Sequence, residues 1–125
     1  MSSSGQVRVR RVYDEPEADD GTRVLVDRIW PRGMTKKKAS LHEWCKDVAP
    51  STDLRKWYGH DPTKFAEFAD RYRAELSDTD RRHALEHLHD LVAAGERLTL
   101  LTGTKNAEIS EATVLATVLT TPRKT

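Results

Sequence analysis

The sequence lacks the features that mark several classes of protein. It has one cysteine, Cys45, in 125 residues, so no internal disulfide can form. Its apolar stretches are far shorter than the roughly 20 residues that cross a bilayer. Residues 1–5 are small and polar and lack the apolar segment of a signal peptide. We therefore expect a cytoplasmic protein with no membrane partner.

An excess of charge of one sign is also missing. Lys and Arg together number 21, and Asp and Glu number 20. The overall balance gives no reason to expect a general nucleic-acid or membrane surface, so any recognition of a charged partner must be local. The length suits a single domain. We expect that domain at residues 6–120, with disordered tails at 1–5 and 121–125.

Two strands are predicted near the start of the chain. From Gln6 to Tyr13 valines alternate with polar residues, which is typical of an edge or half-exposed strand. Acidic residues, a proline and a glycine then predict a surface loop over 14–21. Residues 23–26 are more continuously apolar, as expected of a central strand that is covered on both faces.

Several helices are predicted next. The first begins at Ser40, because Ser40 and Glu43 fit a capping box, and it ends before Pro50. Similar patterns predict a short helical turn capped by Ser51, helices after Asp61 and after residues 77–80, a strand at 98–101 and a final helix. Strands joined through helices are normally parallel. The order therefore predicts a small Rossmann-like α/β domain, a mostly parallel sheet flanked by helices.

The segment after the predicted central strand is the strongest candidate for a binding site. Arg28 and Arg32 flank Trp30, so two guanidinium groups could hold a phosphate or carboxylate while the indole stacks on a ring. Alternatively, Trp30 packs into the core and the arginines pair with Asp27 or with acidic helices. The pattern leaves both interpretations open.

A second anion site is possible at the turn from Gly103 to Asn106, where a strand leads into a helix and Lys105 adds a positive charge. If the strands ending at Val26 and Leu101 are parallel neighbours, this turn and the arginines meet at one edge of the sheet. One glycine falls short of a phosphate-binding loop, so an ordinary strand-to-helix turn is the alternative.

His60 is a candidate general acid or base, with Asp27 or Asp53 as its partner, and the alternative is a loop histidine that fixes the entry to a helix. His83 and His87 share a helix face but have no third ligand at suitable spacing, so we expect no metal and no cofactor. Other residues are interpreted structurally: Cys45 as a buried thiol, and Lys36, Lys37 and Lys38 as a solvated loop rather than a phosphate track.

Motifs along most of the chain resemble the YeaO-like branch of the DUF488 family of uncharacterised bacterial proteins. The resemblance covers roughly residues 7–119 and is most specific in the run Asp-Arg-Ile-Trp-Pro-Arg-Gly at 27–33. The matching motifs are Val26–Gly33, Trp44, Ala49–Ser51, Leu54–Trp57, Gly59–Pro62 and Leu100–Leu101. The family label implies no established activity.

The resemblance nevertheless implies something about catalysis. The broader superfamily has a Rossmann-like fold, carries a Cys-His-Arg cluster after the last strand and is suspected of acting on nucleotides or nucleic acids. YeaO-like members often carry Asn-His-Ala there, whereas this chain has Ser110-Glu111-Ala112. The histidine is missing, so the resemblance favours a ligand-binding shell, composed of Asp27, Arg28, Arg32, Ser51, Arg55, His60 and Lys105.

Three functions follow as hypotheses. The leading one is a binder of a phosphate-bearing ligand, a nucleotide or nucleic-acid element. The second is an enzyme acting on such ligands, a hydrolase or glycosidic-bond transferase, in which His60 and Asp27 move protons. The third is a protein-interaction module or homodimer that uses a surface formed by Trp30, Trp44 and Trp57.

Overall fold

The computed structural model describes residues 6–95 and 97–121. The predicted tails fall outside this range except for Thr121, whose backbone N–H closes the last helix by donating to the Thr117 carbonyl at 3.1 Å. Within the described residues, no helix has the length and apolar character needed to cross a membrane.

A parallel sheet forms the centre of the molecule. Its four strands are β1 (Val7–Arg11), β2 (Thr22–Leu25), β3 (Glu43–Trp44) and β4 (Leu98–Thr102). Their spatial order is β1-β4-β2-β3, and all three pairings are parallel. The expected edge position of β1 and central position of β2 are therefore confirmed.

Helices cover the two faces of this sheet unequally. They are α1 (Lys36–Ala39), α2 (Thr52–Tyr58), α3 (Phe65–Glu75), α4 (Thr79–Ala93) and α5 (Glu111–Thr120). On one face Val24 and Val26 join the large core formed with α2 to α5. On the other face Leu25 joins a smaller core with Ala39 of α1. This arrangement confirms the predicted Rossmann-like α/β fold.

The predicted helix beginning at Ser40 is wrong. Ser40 has φ of +48° and ends α1 instead, with its N–H donating to the Lys37 carbonyl at 3.1 Å. The following backbone pairs with β2, since the Cys45 N–H donates to the Leu25 carbonyl at 2.8 Å. Strand pairing to a buried neighbour outweighs the local capping pattern. The lysine triplet 36–38, expected as a loop, forms most of α1, which Thr35 caps.

The acidic segment 14–21 contains a buried charge cluster that its composition does not predict. Asp20 is 1% exposed and its carboxylate accepts hydrogen bonds from Arg8, Arg10 and Arg23. Burial alone would raise the pKa of Asp20, but the Glu17 backbone N–H and the arginines outweigh it and lower the pKa to about 2. These four charged side chains, Asp20, Arg8, Arg10 and Arg23, form the Asp20 cluster.

Candidate functional site

A cavity opens where β2 and β4 end. The two strands are parallel neighbours, with Val24 opposite Leu100 and Leu25 opposite Leu101, so the segments that follow them emerge at the same edge of the sheet. The cavity between these segments has a volume of about 460 Å³. The segments that follow β2 and β4, both predicted to bind anions, therefore start at the same edge of the sheet, as expected.

Asp27 is fixed at the base of this cavity by the end of β4. Its Oδ1 accepts a hydrogen bond from the Thr102 hydroxyl at 2.8 Å, and its Oδ2 accepts one from the Gly103 backbone N–H at 2.7 Å. A Cβ at Gly103 would lie 3.3 Å from Asp27 Oδ2, so the turn and the carboxylate are closely packed. The Gly103 amide is thus occupied by Asp27.

Glu111 lines the same cavity from the first turn of α5. The residue as a whole is half-buried, but its Oε2 is enclosed and has no hydrogen-bond partner among the described residues. Burial raises the pKa of Glu111 well above its ordinary range, and the neighbouring Asp27 carboxyl group raises it further. Glu111 therefore favours its protonated form beside Asp27, and a carboxyl O–H on Glu111 can donate a hydrogen bond. We call Asp27 and Glu111 the carboxyl pair.

Positive side chains surround the cavity. Arg28, Arg32 and Lys56 are exposed and Arg55 is half-buried, and all four line it. Within the described part of the chain, none of the four side chains makes an ion pair or a hydrogen bond. The Nε of Arg55 is enclosed without an acceptor. Among the described residues, Arg28 and Arg32 therefore do not form the ion pairs with carboxylates that the structural alternative expected.

Trp30 is fixed in one orientation at the wall of the cavity. Its indole N–H donates to the Met34 carbonyl at 2.7 Å, and its ring packs edge-on against Trp44 with centroids 5.1 Å apart. The Trp44 indole N–H in turn donates to the Asp27 backbone carbonyl at 2.7 Å. Trp30 therefore packs partly into the smaller core, as the structural alternative expected, and also lines the cavity.

His60 also lines the cavity and is exposed. Its φ of +58° is unusual for a residue with a side chain, and it follows Gly59, whose φ is +54°. Its ring is 6.0 Å from that of Tyr58, which donates its hydroxyl to the Ile109 carbonyl at 2.7 Å. His60, Asp27 and Arg28 thus share one cavity, as the enzyme hypothesis requires.

Two predicted site residues do not line the cavity, namely Ser51 and Lys105. The Ser51 hydroxyl oxygen caps α2 by accepting from the Leu54 N–H at 3.1 Å, and its hydroxyl and backbone N–H both donate to Glu75. Lys105 is exposed. Asp53, the other acid considered for proton transfer, is exposed in the first turn of α2 and is also absent from the lining.

His83, His87 and Cys45 do not line the cavity. His87 contacts Glu43 through Nε2 at 2.8 Å, and His83 is exposed. Among residues 6–95 and 97–121, no group of His, Cys, Asp and Glu could hold a metal ion. Burial, with smaller contributions from nearby acids, raises the pKa of Cys45 to about 12, which is unfavourable for a nucleophile.

The three tryptophans do not form the continuous exposed surface that the interaction hypothesis assumes. All three are half-buried, and Trp30 and Trp44 pack on each other. Trp57 is contacted by Arg71 and Lys64, whose charged groups lie 4.2 and 5.1 Å from its ring centroid.

Sequence reasoning did not place Glu111 in the cavity and treated it only as the replacement of an absent histidine. It also missed Lys56, Tyr13 and Ile29, which line the cavity. One pattern could have identified Glu111: an acidic residue that follows Ser110 at a helix start, after an inner strand, lies at the edge where such sheets bind ligands.

Comparison with known proteins places the chain in a family. A family model described as "Inactive DUF488-N3 subclade" matches residues 6–125. The uncharacterised protein Rv3073c of Mycobacterium tuberculosis is 49% identical over 119 residues, 95% of this chain and 98% of the relative. The uncharacterised protein YeaO of Escherichia coli is 42% identical over 110 residues, 88% and 93% of the two chains. No solved structure gives a significant match. The chain therefore belongs to the YeaO-like part of the DUF488 family.

Proposed function

We propose that the protein binds a phosphate-bearing ligand, a nucleotide or a nucleotide unit of a nucleic acid, in the cavity at the carboxyl edge of the sheet. One observation carries the proposal: Arg28, Arg32 and Arg55 line a single cavity without any partner among the described residues. Arginine presents paired donors that match the oxygens of a phosphate group.

Arg55 adds an energetic argument. Its Nε is enclosed and has no acceptor. A buried polar group without a hydrogen bond costs about 1–3 kcal/mol. That nitrogen is closed to the cavity, so a ligand oxygen satisfies it only if the Arg55 side chain turns; the other guanidinium nitrogens of this half-buried side chain also have no partner among the described residues.

The walls suit the organic part of such a ligand. Trp30 offers a ring that its own hydrogen bond and Trp44 hold in place, so little freedom is lost when a base stacks on it. Ile29 and Tyr13, which are 63% and 42% exposed, add apolar surface at the rim. A volume of about 460 Å³ is within the range of small-molecule sites.

Binding without catalysis is the first choice because the matching family model is described as inactive. An enzyme acting on nucleotides is kept as a second candidate on one observation: His60 and Asp27 line the same cavity as Arg28. The test below therefore includes an assay of the recovered nucleotide.

Isothermal titration of the full chain with AMP and with a short single-stranded oligonucleotide tests the proposal. The double variant Arg28→Ala, Arg32→Ala should weaken binding by about tenfold or more, because hydrogen bonds to charged groups contribute about 1.5–3 kcal/mol each. Arg82→Ala is the matched control, since Arg82 is exposed on α4 and does not line the cavity.

Equal affinity in the double variant and in Arg82→Ala would contradict the proposal, as would the absence of any binding. Unchanged AMP after long incubation supports the binding role. Cleaved AMP that disappears with His60→Ala would replace it by the enzyme alternative.

A further inference from the structure

The cavity has two chemically different parts. Arg28, Arg32 and Lys56 are exposed at the rim, whereas the carboxyl pair, Asp27 and Glu111, lies where the sheet edge meets α5. A phosphate group is repelled by carboxylates and attracted by guanidinium groups. Electrostatics therefore favours one orientation of a phosphate-bearing ligand, with the phosphate at the arginines and its other end toward the carboxyl pair.

The carboxyl pair retains unused hydrogen-bonding capacity. Asp27 accepts one hydrogen bond at each oxygen, from Thr102 and from Gly103. A carboxylate has about four lone-pair positions, so each Asp27 oxygen keeps one free. Protonated Glu111 can donate to one of them. The remaining positions are available to hydrogen-bond donors of a ligand.

The part of the ligand that faces the pair must therefore supply hydrogen-bond donors. Two adjacent hydroxyl groups fit best, because each can donate to one carboxyl group, and a hydroxyl group also accepts a hydrogen bond. A hydrocarbon there would leave both carboxyl groups desolvated without partners, which is costly.

We propose that the carboxyl pair receives a vicinal diol of the ligand, so that the cavity selects phosphate esters of a sugar, such as a ribonucleotide. The inference rests on the proposed function, because it assumes that the arginines hold the phosphate. It goes beyond that function by assigning to Glu111 the recognition of the sugar.

The experiment compares four probes by isothermal titration: AMP, its 2′,3′-dideoxy analogue, ribose 5-phosphate and inorganic phosphate. The protein should bind AMP at least about tenfold more tightly than the dideoxy analogue, since a site that hydrogen-bonds a hydroxyl group discriminates strongly against its absence. Ribose 5-phosphate should bind more tightly than inorganic phosphate.

Variants of Glu111 then test the assignment. Glu111→Ala should abolish most of the preference for AMP over the dideoxy analogue. Glu111→Gln should keep it, because an amide both donates to Asp27 and accepts from a hydroxyl group. The ratio of the two affinities is the readout, so a general loss of affinity does not imitate the effect.

Failure of the inference is distinguishable from failure of the proposed function. If the phosphate probes bind through the arginines but AMP and its dideoxy analogue bind equally, only the diol assignment is overturned; that result indicates recognition of the base or of phosphate alone. A preference that persists in Glu111→Ala also overturns it. If none of the probes binds, both proposals fail.

Discussion

The segments before and after β2 carry carboxylates in opposite surroundings. At the amino end, the Asp20 cluster places one carboxylate among three arginines, and the pKa of Asp20 falls to about 2. At the carboxyl end, Asp27 lies beside Glu111, whose pKa is raised by burial and by that neighbour. The cations of this second region remain at the rim without partners among the described residues.

The difference separates a structural charge from the proposed binding site. In the Asp20 cluster all three arginines donate to the Asp20 carboxylate, so a ligand would have to break these hydrogen bonds, although Arg8 Nε and Arg23 Nη2 are enclosed without an acceptor. Around the carboxyl pair the acids face each other and the arginines face the cavity, so a ligand supplies interactions that the protein lacks. The pattern of partnering, rather than the number of charges, distinguishes the two regions.

The largest effect should come from neutralising the centre of the Asp20 cluster. Asp20→Asn should lower the free energy of unfolding by about 3–5 kcal/mol, because it leaves the buried Arg23 without its counter-charge. Urea denaturation measures the loss. Asp19→Asn is the matched control, since Asp19 is 61% exposed and 3.6 Å from Arg8, and it should cost about 1 kcal/mol or less. Equal losses in the two variants would show that the cluster is not structural.

A comparison of two glycines, Gly21 before β2 and Gly33 in the segment that follows it, should give the next largest effect. Gly21 has φ of +66°, and a Cβ there would clash with the Arg97 carbonyl oxygen. Gly21→Ala should therefore cost more than about 2 kcal/mol of unfolding free energy. Gly33 has φ of +76° with nothing within 4 Å, so Gly33→Ala should cost only about 1 kcal/mol. Thermal unfolding of both variants checks the difference, and a reversed order would contradict it.

Asp20 and Glu111 should make the free energy of unfolding depend on pH in opposite directions. The folded pKa of Asp20 is below its unfolded value, so its contribution of about 2 kcal/mol is present above that unfolded value and is lost as pH falls toward 2. The folded pKa of Glu111 is above its unfolded value, so its contribution is present in acid and is lost as pH rises through the folded pKa.

Both losses of stability, in acid and at higher pH, can be measured from denaturation midpoints of the protein and of two variants over a range of pH. Asp20→Asn should remove part of the acid loss, and Glu111→Gln should reduce the loss at higher pH. If Glu111→Gln left the loss at higher pH unchanged, Glu111 would not hold its proton in the folded protein.

Local patterns in the sequence were sufficient for much of the fold. The alternation of β1 and the apolar run of β2 correctly indicated an edge strand and a central strand, because those patterns follow from which faces are covered. The convergence of the segments after Val26 and Leu101 followed from the parallel geometry alone.

Contacts between distant residues were beyond such patterns. The capping pattern at Ser40 favoured a helix, but β2 offered Glu43 and Trp44 a strand partner that no local pattern contains. The burial of Asp20 depends on arginines from β1 and β2. The pairing of Asp27 with Glu111 joins residues far apart in the chain, so neither could be identified from its neighbours in sequence.

The segment 28–33 is fixed by a backbone hydrogen bond and by a buried proline, and neither involves its most exposed side chains. Tyr13 donates its hydroxyl to the Arg32 backbone carbonyl at 2.9 Å, and Pro31 is buried. Neither interaction uses the side chains of Arg28, Ile29 or Arg32, which are exposed at the rim. In evolutionary terms the scaffold and the recognition surface are separable, because exposed positions change at little cost in stability. If the proposed function holds, substitution at these three positions would change the ligand while the sheet and its core stay the same.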